Sequence, residues 1–173
     1  MQIHTTHSRM VGYTVTAAPE QSGETYFEPQ TQSETTRFMD CLLVKIVVQP
    51  GDIMLCEAAS VVVDQVAAQT ETTLIVIDGY GSQPAFPIAG HTHAANLSTD
   101  VGDILSDVAD RLRARGRRVH RAPSGWPKSW DADPFEYHGA QRIIELAIGQ
   151  EPTEWSAAHI SGWSTRCGLL FRP

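Results

Sequence analysis

Lysine is almost missing from this chain: Lys45 and Lys128 are the only two in 173 residues. Cysteine is scarce as well, with Cys41, Cys56 and Cys167 widely spaced, odd in number and set among apolar neighbours. That usage argues against a disulfide framework or a zinc cluster and points to reduced thiols in a cytoplasmic protein. A cysteine nucleophile has no local pattern to support it. No apolar run approaches the ~20 residues of a membrane span, and Met1-Gln2-Ile3-His4 does not read as a signal peptide. Positive charge is in deficit, with 13 Lys and Arg against 20 Asp and Glu and a net charge of −7. Such a balance excludes an indiscriminate nucleic-acid binder. What remains is an ordinary apolar fraction of 42% in a chain long enough for one domain with a proper core.

The few cations are not spread evenly. Arg111, Arg113, Arg115, Arg117, Arg118, Arg121 and Lys128 supply seven of the thirteen. A basic island on an acidic protein can steer and position phosphates, which makes Arg117, Arg118 and Arg121 candidate RNA contacts. Some of these arginines also suit a helix C-terminus, and the two roles are compatible.

Along the chain, Gln2–His7 and Val11–Thr16 read as two strands with a break between them, Gly12 marking a turn or bulge. Residues 17–36, rich in Glu, Gln, Ser and Thr, read as a solvated connection. Cys41–Val48 is a near-continuous apolar run, a strand buried on both faces and ended by Pro50-Gly51-Asp52. Glu57–Gln69 fits a helix, and Leu74–Ile77 a buried strand ended by Asp78-Gly79-Tyr80-Gly81. This strand–helix–strand order predicts an α/β layered domain. Phe86–His93 reads as a loop. A helix follows from Asp100 to Arg115, capped by Ser98 or Thr99, with an apolar stripe of Val101, Ile104, Leu105, Val108 and Leu112 and with Gly116 at its C′ position. Pro134–Gln141 is a candidate strand, and Gln141–Ile148 a short helix or strand. The tail after Glu151 carries Trp155, Trp163, Leu169 and Phe171, enough apolar surface to dock on the body.

The stretch Val119–Trp130 is the most constrained. Pro123 and Pro127 stiffen it, Gly125 allows close approach, and Lys128 stands between Trp126 and Trp130. A lysine so placed can hold an anionic or carbonyl oxygen, or lose its proton if desolvated. The bland alternative is an exposed turn whose tryptophans cover a core edge.

The order Arg121-Ala122-Pro123-Ser124-Gly125-Trp126-Pro127-Lys128-Ser129-Trp130 resembles the Ala-Pro-Phe-Gly-(Trp/Tyr)-Tyr-Lys-(Ala/Ser)-Phe segment of the editing domain at the N-terminus of archaeal threonyl-tRNA synthetases. That domain is similar in fold to D-aminoacyl-tRNA deacylases. His7, Ser8 and Tyr13 match its opening His-Ser-Asp and Tyr-Glu, with Arg9 in place of the aspartate. The resemblance covers residues 1–142, followed by a 143–173 extension packed on the same domain. It implies an α/β fold of the D-aminoacyl-tRNA-deacylase-like type, with β-sheet layers and flanking helices. It also implies a free-standing, homodimeric enzyme that hydrolyses the ester of mischarged threonine tRNA in trans, without a cofactor.

Carried over by motif, the resemblance makes Lys128 and His91 the catalytic pair. Lys128 would stabilise the oxyanion or orient water, and His91 would assist by hydrogen bonding or proton transfer. His7, Ser8, Val47, Val48, Ala89, Gly90, Ala122, Pro123, Ser124, Gly125, Trp126, Pro127 and Gln141 would shape the substrate site. Three positions depart from the family pattern. Ser124 and Pro127 replace aromatics and Gln141 replaces a glutamate, so the acyl group removed is either seryl or a threonine analogue. Two other readings stand beside this one. One is a noncatalytic tRNA-binding module of the same fold. The other is a metal hydrolase built on His91-x-His93 with His120, His138 or His159, which would need the pair on a strand so that both rings share a face.

Overall fold

A computed structural model describes residues 1–16, 34–81, 93–124 and 126–156. The calls on Ala89, Gly90, His91, Gly125, His159, Trp163, Cys167, Leu169 and Phe171 lie outside the described residues. The architecture is mixed α/β. Strand β1 (Gln2–Val15) pairs antiparallel with β2 (Thr35–Val48), and β2 pairs parallel with β3 (Leu74–Gly81). Strand β4 (Arg118–Arg121) lies parallel to β3; β5 (Lys128–Pro134) and β6 (Gln141–Glu145) both pair antiparallel with β1, and β7 (Thr153–Ser156) with β6. The sheet runs β4-β3-β2-β1-β6-β7, with β5 on β1 beside β6's place. Helices α1 (Cys56–Gln69) and α2 (His93–Ala114) connect the parallel strands.

One crease gives the molecule its layers. The β1–β2 register runs from Gln2↔Val47 to Ser8↔Cys41, skips Arg9 and Asp40, and resumes at Met10↔Met39. The β1–β5 register shifts at the same point. Asp40 adopts a left-handed backbone with φ 48°, uncommon for a residue bearing a Cβ. Before the crease, β1 pairs with the second half of β2 and with β6; after it, with the first half of β2 and with β5. The arm beyond the crease folds back over the sheet.

Packing follows from this. On one face Ile3, Leu42, Val44, Ile46, Ile75 and Ile77 meet α1 and α2 through Val63, Val66, Ile104, Leu105 and Leu112. On the other, Cys41, Leu43 and Val76 meet Val11, Phe38, Trp130 and Ala132 of the folded-back arm. Covered on both sides, the middle of β2 and β3 can be apolar at successive residues. Gly79 allows α2 to approach β3 closely, since a Cβ there would stand 2.7 Å from Leu105 Cδ2 and 3.0 Å from the Ile46 carbonyl. Burial drives the Cys41 thiol up to about 12, helped by Asp40, and the Cys56 thiol up to about 11, helped by Asp107. Both cysteines are free and buried.

Several sequence expectations change. The first segment is one creased strand, not two separated strands, because each half finds its own partners; the irregularity sits at Arg9, and Gly12 lies within regular pairing. Strand β3 continues through Asp78-Gly79-Tyr80-Gly81, since those residues pair with Lys45–Val48. Helix α2 starts at His93, so Ser98 and Thr99 lie inside it and not ahead of it; Ala94, Ala95 and Leu97, good helix formers, favour the earlier start. His93 therefore opens a helix, and its expected partner His91 lies outside the described residues. Pro134–Gln141 is not a strand: β5 ends at Pro134, and a turn with Gly139 at φ 88° leads into β6. The division after residue 142 falls inside β6, whose Ile144 belongs to the helix-side core. Gly116 does end α2, at φ 87°, with its N–H on the Arg113 carbonyl and the Arg117 N–H on that of Leu112, a Schellman closure.

Candidate functional site

Lys128 is the first residue of β5, not a loop residue, and pairs with Val15 at the tip of the folded-back arm. The arm turns its side chain inward. Its Nζ stands 3.1 Å from Asp78 Oδ1, with the lysine side chain 6% and the aspartate side chain 9% exposed. The ammonium also donates to the Pro123 carbonyl. Asp78 lies toward the C-terminal end of β3, the end of a parallel strand at which α/β proteins commonly place ligands. A nearly dry cation and anion thus meet between two layers of the molecule.

Further groups of the same interlayer space surround them. His120, on β4 opposite Val76, is 2.9 Å from the Tyr13 hydroxyl through Nε2, and its ring lies against Phe38. Burial lowers the His120 pKa, with a smaller contribution from Arg113. The imidazole is therefore neutral at neutral pH. Lys45 places its Nζ 4.8 Å from the centroid of the Trp130 ring. Trp126 and Ala122 pack with Tyr13, Val15 and Trp130.

Among the described residues, three buried polar atoms here have no hydrogen-bond partner: Asp78 Oδ1, Ser124 Oγ and Trp126 Nε1. The first is close to Lys128 without the alignment of a hydrogen bond. A carboxylate acceptor, a hydroxyl and an indole donor left open in one region are what ordered water or a polar ligand would satisfy. Lys128 and Asp78 together can fix a water and place positive charge beside a developing oxyanion.

The other expected residues divide by location. Ala122, Pro123 and Ser124 are buried in the segment joining β4 to Lys128; Trp126 is half-buried; Pro127 is exposed, its carbonyl accepting from Thr16. Val47 and Val48 end β2 beside Tyr80 and Gly81, and the Val48 side chain belongs to the helix-side core. His7 and Ser8 sit at the crease, eight and seven strand residues from Val15 and its partner Lys128, about 23–26 Å at ~3.3 Å per residue. Gln141 pairs with Thr6, on the far side of that crease. His7 and Ser8 thus lie a full arm's length along β1 from Lys128, and Gln141 opens β6.

Most of the basic island is engaged internally. Arg117 Nε is 2.6 Å from Asp64 Oδ1, and its Nη1 donates to the Thr72 carbonyl. Arg111 and Arg115 share Glu57. Arg118 is exposed but pairs opposite Leu74, the end of β3 remote from Asp78. Arg121 is nearer the site, opposite Ile77, and donates to the Gly102 carbonyl. Among the described residues no group of three or more His, Cys, Asp and Glu could hold a metal ion, and no helix is long and apolar enough to cross a membrane.

Sequence reasoning missed Asp78, His120 and Lys45 as members of this site. The available signal was an aspartate near the end of an apolar strand in an α/β pattern; read as a strand terminator, it was passed over. The fold and site define a mixed α/β protein with a buried lysine–aspartate pair between its layers. No protein-family model matches the chain, and no curated protein matches it.

Proposed function

We propose that this chain is an aminoacyl-tRNA deacylase of the D-aminoacyl-tRNA-deacylase-like fold, hydrolysing the ester that joins an amino acid to threonine tRNA. The observation that carries this reading is the Lys128 ammonium held between the layers beside Asp78. The match of Ala122, Pro123, Gly125, Trp126 and Lys128 to the synthetase editing segment supports it.

An aminoacyl ester is already activated, so the protein needs no strong nucleophile of its own. Water adds to the acyl carbon, Lys128 stabilises the oxyanion, and the open Asp78 Oδ1 accepts the proton released by the water. The ribose oxygen leaves with a proton, freeing the amino acid. Ser124, where the related segment has an aromatic, leaves room and a hydroxyl beside the acyl group.

Purified protein incubated with seryl-, threonyl- and threonine-analogue-charged threonine tRNA tests this. Hydrolysis of the seryl or analogue ester is expected, falling on the order of 10²-fold or more in Lys128→Met. Unchanged turnover in that variant, or no hydrolysis of any charged tRNA by the wild type, overturns the reading. One observation favours a second reading, a noncatalytic tRNA-binding module: Asp78 already balances the Lys128 charge. Under that reading the protein protects charged tRNA from spontaneous deacylation instead of accelerating it.

A further inference from the structure

A second polar array stands at the crease, apart from the Lys128 region. His7 is nine-tenths buried, its side chain 9% exposed. Its Nδ1 lies 2.6 Å from the Tyr137 hydroxyl, and its Nε2 lies 3.3 Å from Asp40 Oδ1. Phe135 covers the imidazole at 4.4 Å between centroids, and Arg9 lies over the Phe135 ring. The Tyr137 side of the array faces solvent, with that residue 46% exposed.

Protonation roles follow from the neighbours. The Asp40 carboxylate can only accept, which favours the ring proton on Nε2 and leaves Nδ1 to accept from the Tyr137 phenol, whose pKa burial raises. The ring then carries its own proton on Nε2, which points at the Asp40 carboxylate. The order is hydroxyl, base, orienting carboxylate. This is the arrangement by which a weak hydroxyl nucleophile is activated in the transition state without being ionised at rest. Asp40 supplies its carboxylate from a left-handed backbone at φ 48°, a conformation of the kind that clusters at functional sites. Both His7 and Asp40 are set by the crease itself.

We propose that Tyr137, His7 and Asp40 form an acyl-accepting site for small activated carboxylic esters, independent of the Lys128 site. The Tyr137 oxygen bonds to the acyl carbon, and the bond from that carbon to the leaving oxygen breaks. The phenolic proton passes to His7 Nδ1 and from there to the departing alkoxide or phenoxide. Water, deprotonated by the same nitrogen, then cleaves the aryl ester and restores Tyr137. The Arg9 guanidinium beside the array is held by Asp133 and the Pro134 carbonyl. The array is therefore matched to good leaving groups, which demand little oxyanion stabilisation.

The full chain is treated with p-nitrophenyl acetate, and acetylation is followed residue by residue by peptide mass spectrometry. Tyr137 is expected to react at least about tenfold faster than N-acetyltyrosinamide at the same pH, with a loss on the order of 10²-fold in His7→Gln. Asp40→Asn is expected to lose about tenfold while folding normally, because asparagine tolerates the left-handed conformation and the Asp40 side chain is 76% exposed. Should His7→Gln not fold, Asp40→Asn carries the test alone. Reaction of Tyr137 no faster than the free amide, or undiminished in Asp40→Asn, overturns the proposal.

Discussion

Replacing Lys128 by methionine keeps an unbranched side chain, one atom shorter, and removes its charge, leaving the Asp78 carboxylate buried without its cation. At the observed 3.1 Å, the pair's Coulomb attraction is about 5 kcal/mol at an effective dielectric of ~20. Much of this offsets the cost of removing both groups from water, so the pair adds little relative to a neutral pair of the same shape. Loss of one partner is different, since the remaining ion keeps its desolvation cost. Lys128→Met should lose about 3–5 kcal/mol. With a urea slope of about 2 kcal/mol/M, its unfolding midpoint falls by about 2 M. Asp78→Asn should lose less, because a neutral amide still faces the ammonium and Lys128 keeps the Pro123 carbonyl. The double variant should return to within about 1 kcal/mol of wild type, since no lone ion remains. A double-mutant cycle in urea measures this directly. If Lys128→Met shifts the midpoint by less than about 0.3 M, or the double variant equals the sum of the singles, the two groups are not a buried pair and the geometry of the site is wrong.

Gly79→Ala should destabilise by about 1–3 kcal/mol in the same urea assay, because the new methyl meets Leu105 Cδ2 at 2.7 Å and the Ile46 carbonyl at 3.0 Å; a neutral result would show that α2 has room to move away. His4 and His120 are both lowered below 6.5 by burial, so each contributes stability that is present above pH 6.5 and lost as pH falls below it, where the unfolded chain takes up the proton. Urea midpoints at about pH 7.5 and about pH 5 should therefore differ, and His120→Gln should narrow the difference; an identical acid loss in that variant would remove His120 from the account.

What was legible in the sequence followed from local pattern. The apolar runs at Cys41–Val48 and Leu74–Ile77 with the helix between them pointed to an α/β layered domain, and Gly116 marked the helix end that the Schellman closure forms. Lys128 stood out because lysine is so rare. The crease did not stand out. Arg9 and Asp40 are ordinary exposed residues, and nothing local distinguishes a strand that bends there from one that stops. Without the crease, Trp130 cannot be placed over Lys45, nor Lys128 against Asp78, because residues on separate layers meet only once the arm has folded back. The same gap explains why motif order groups His7 and Ser8 with Lys128: order along a chain carries no information about how far along a folded arm each residue sits.

Because both layers are cut from one pair of strands, the distance from Arg9 to Val15 works as a ruler. Removing a single residue from that span would turn Tyr13 and Val15 outward and pull Lys128 one notch out of step with Asp78. Insertions ahead of Thr35, by contrast, would leave the alignment untouched. Natural variation in this chain's architecture should accordingly be tolerated in the connection and resisted in the arm.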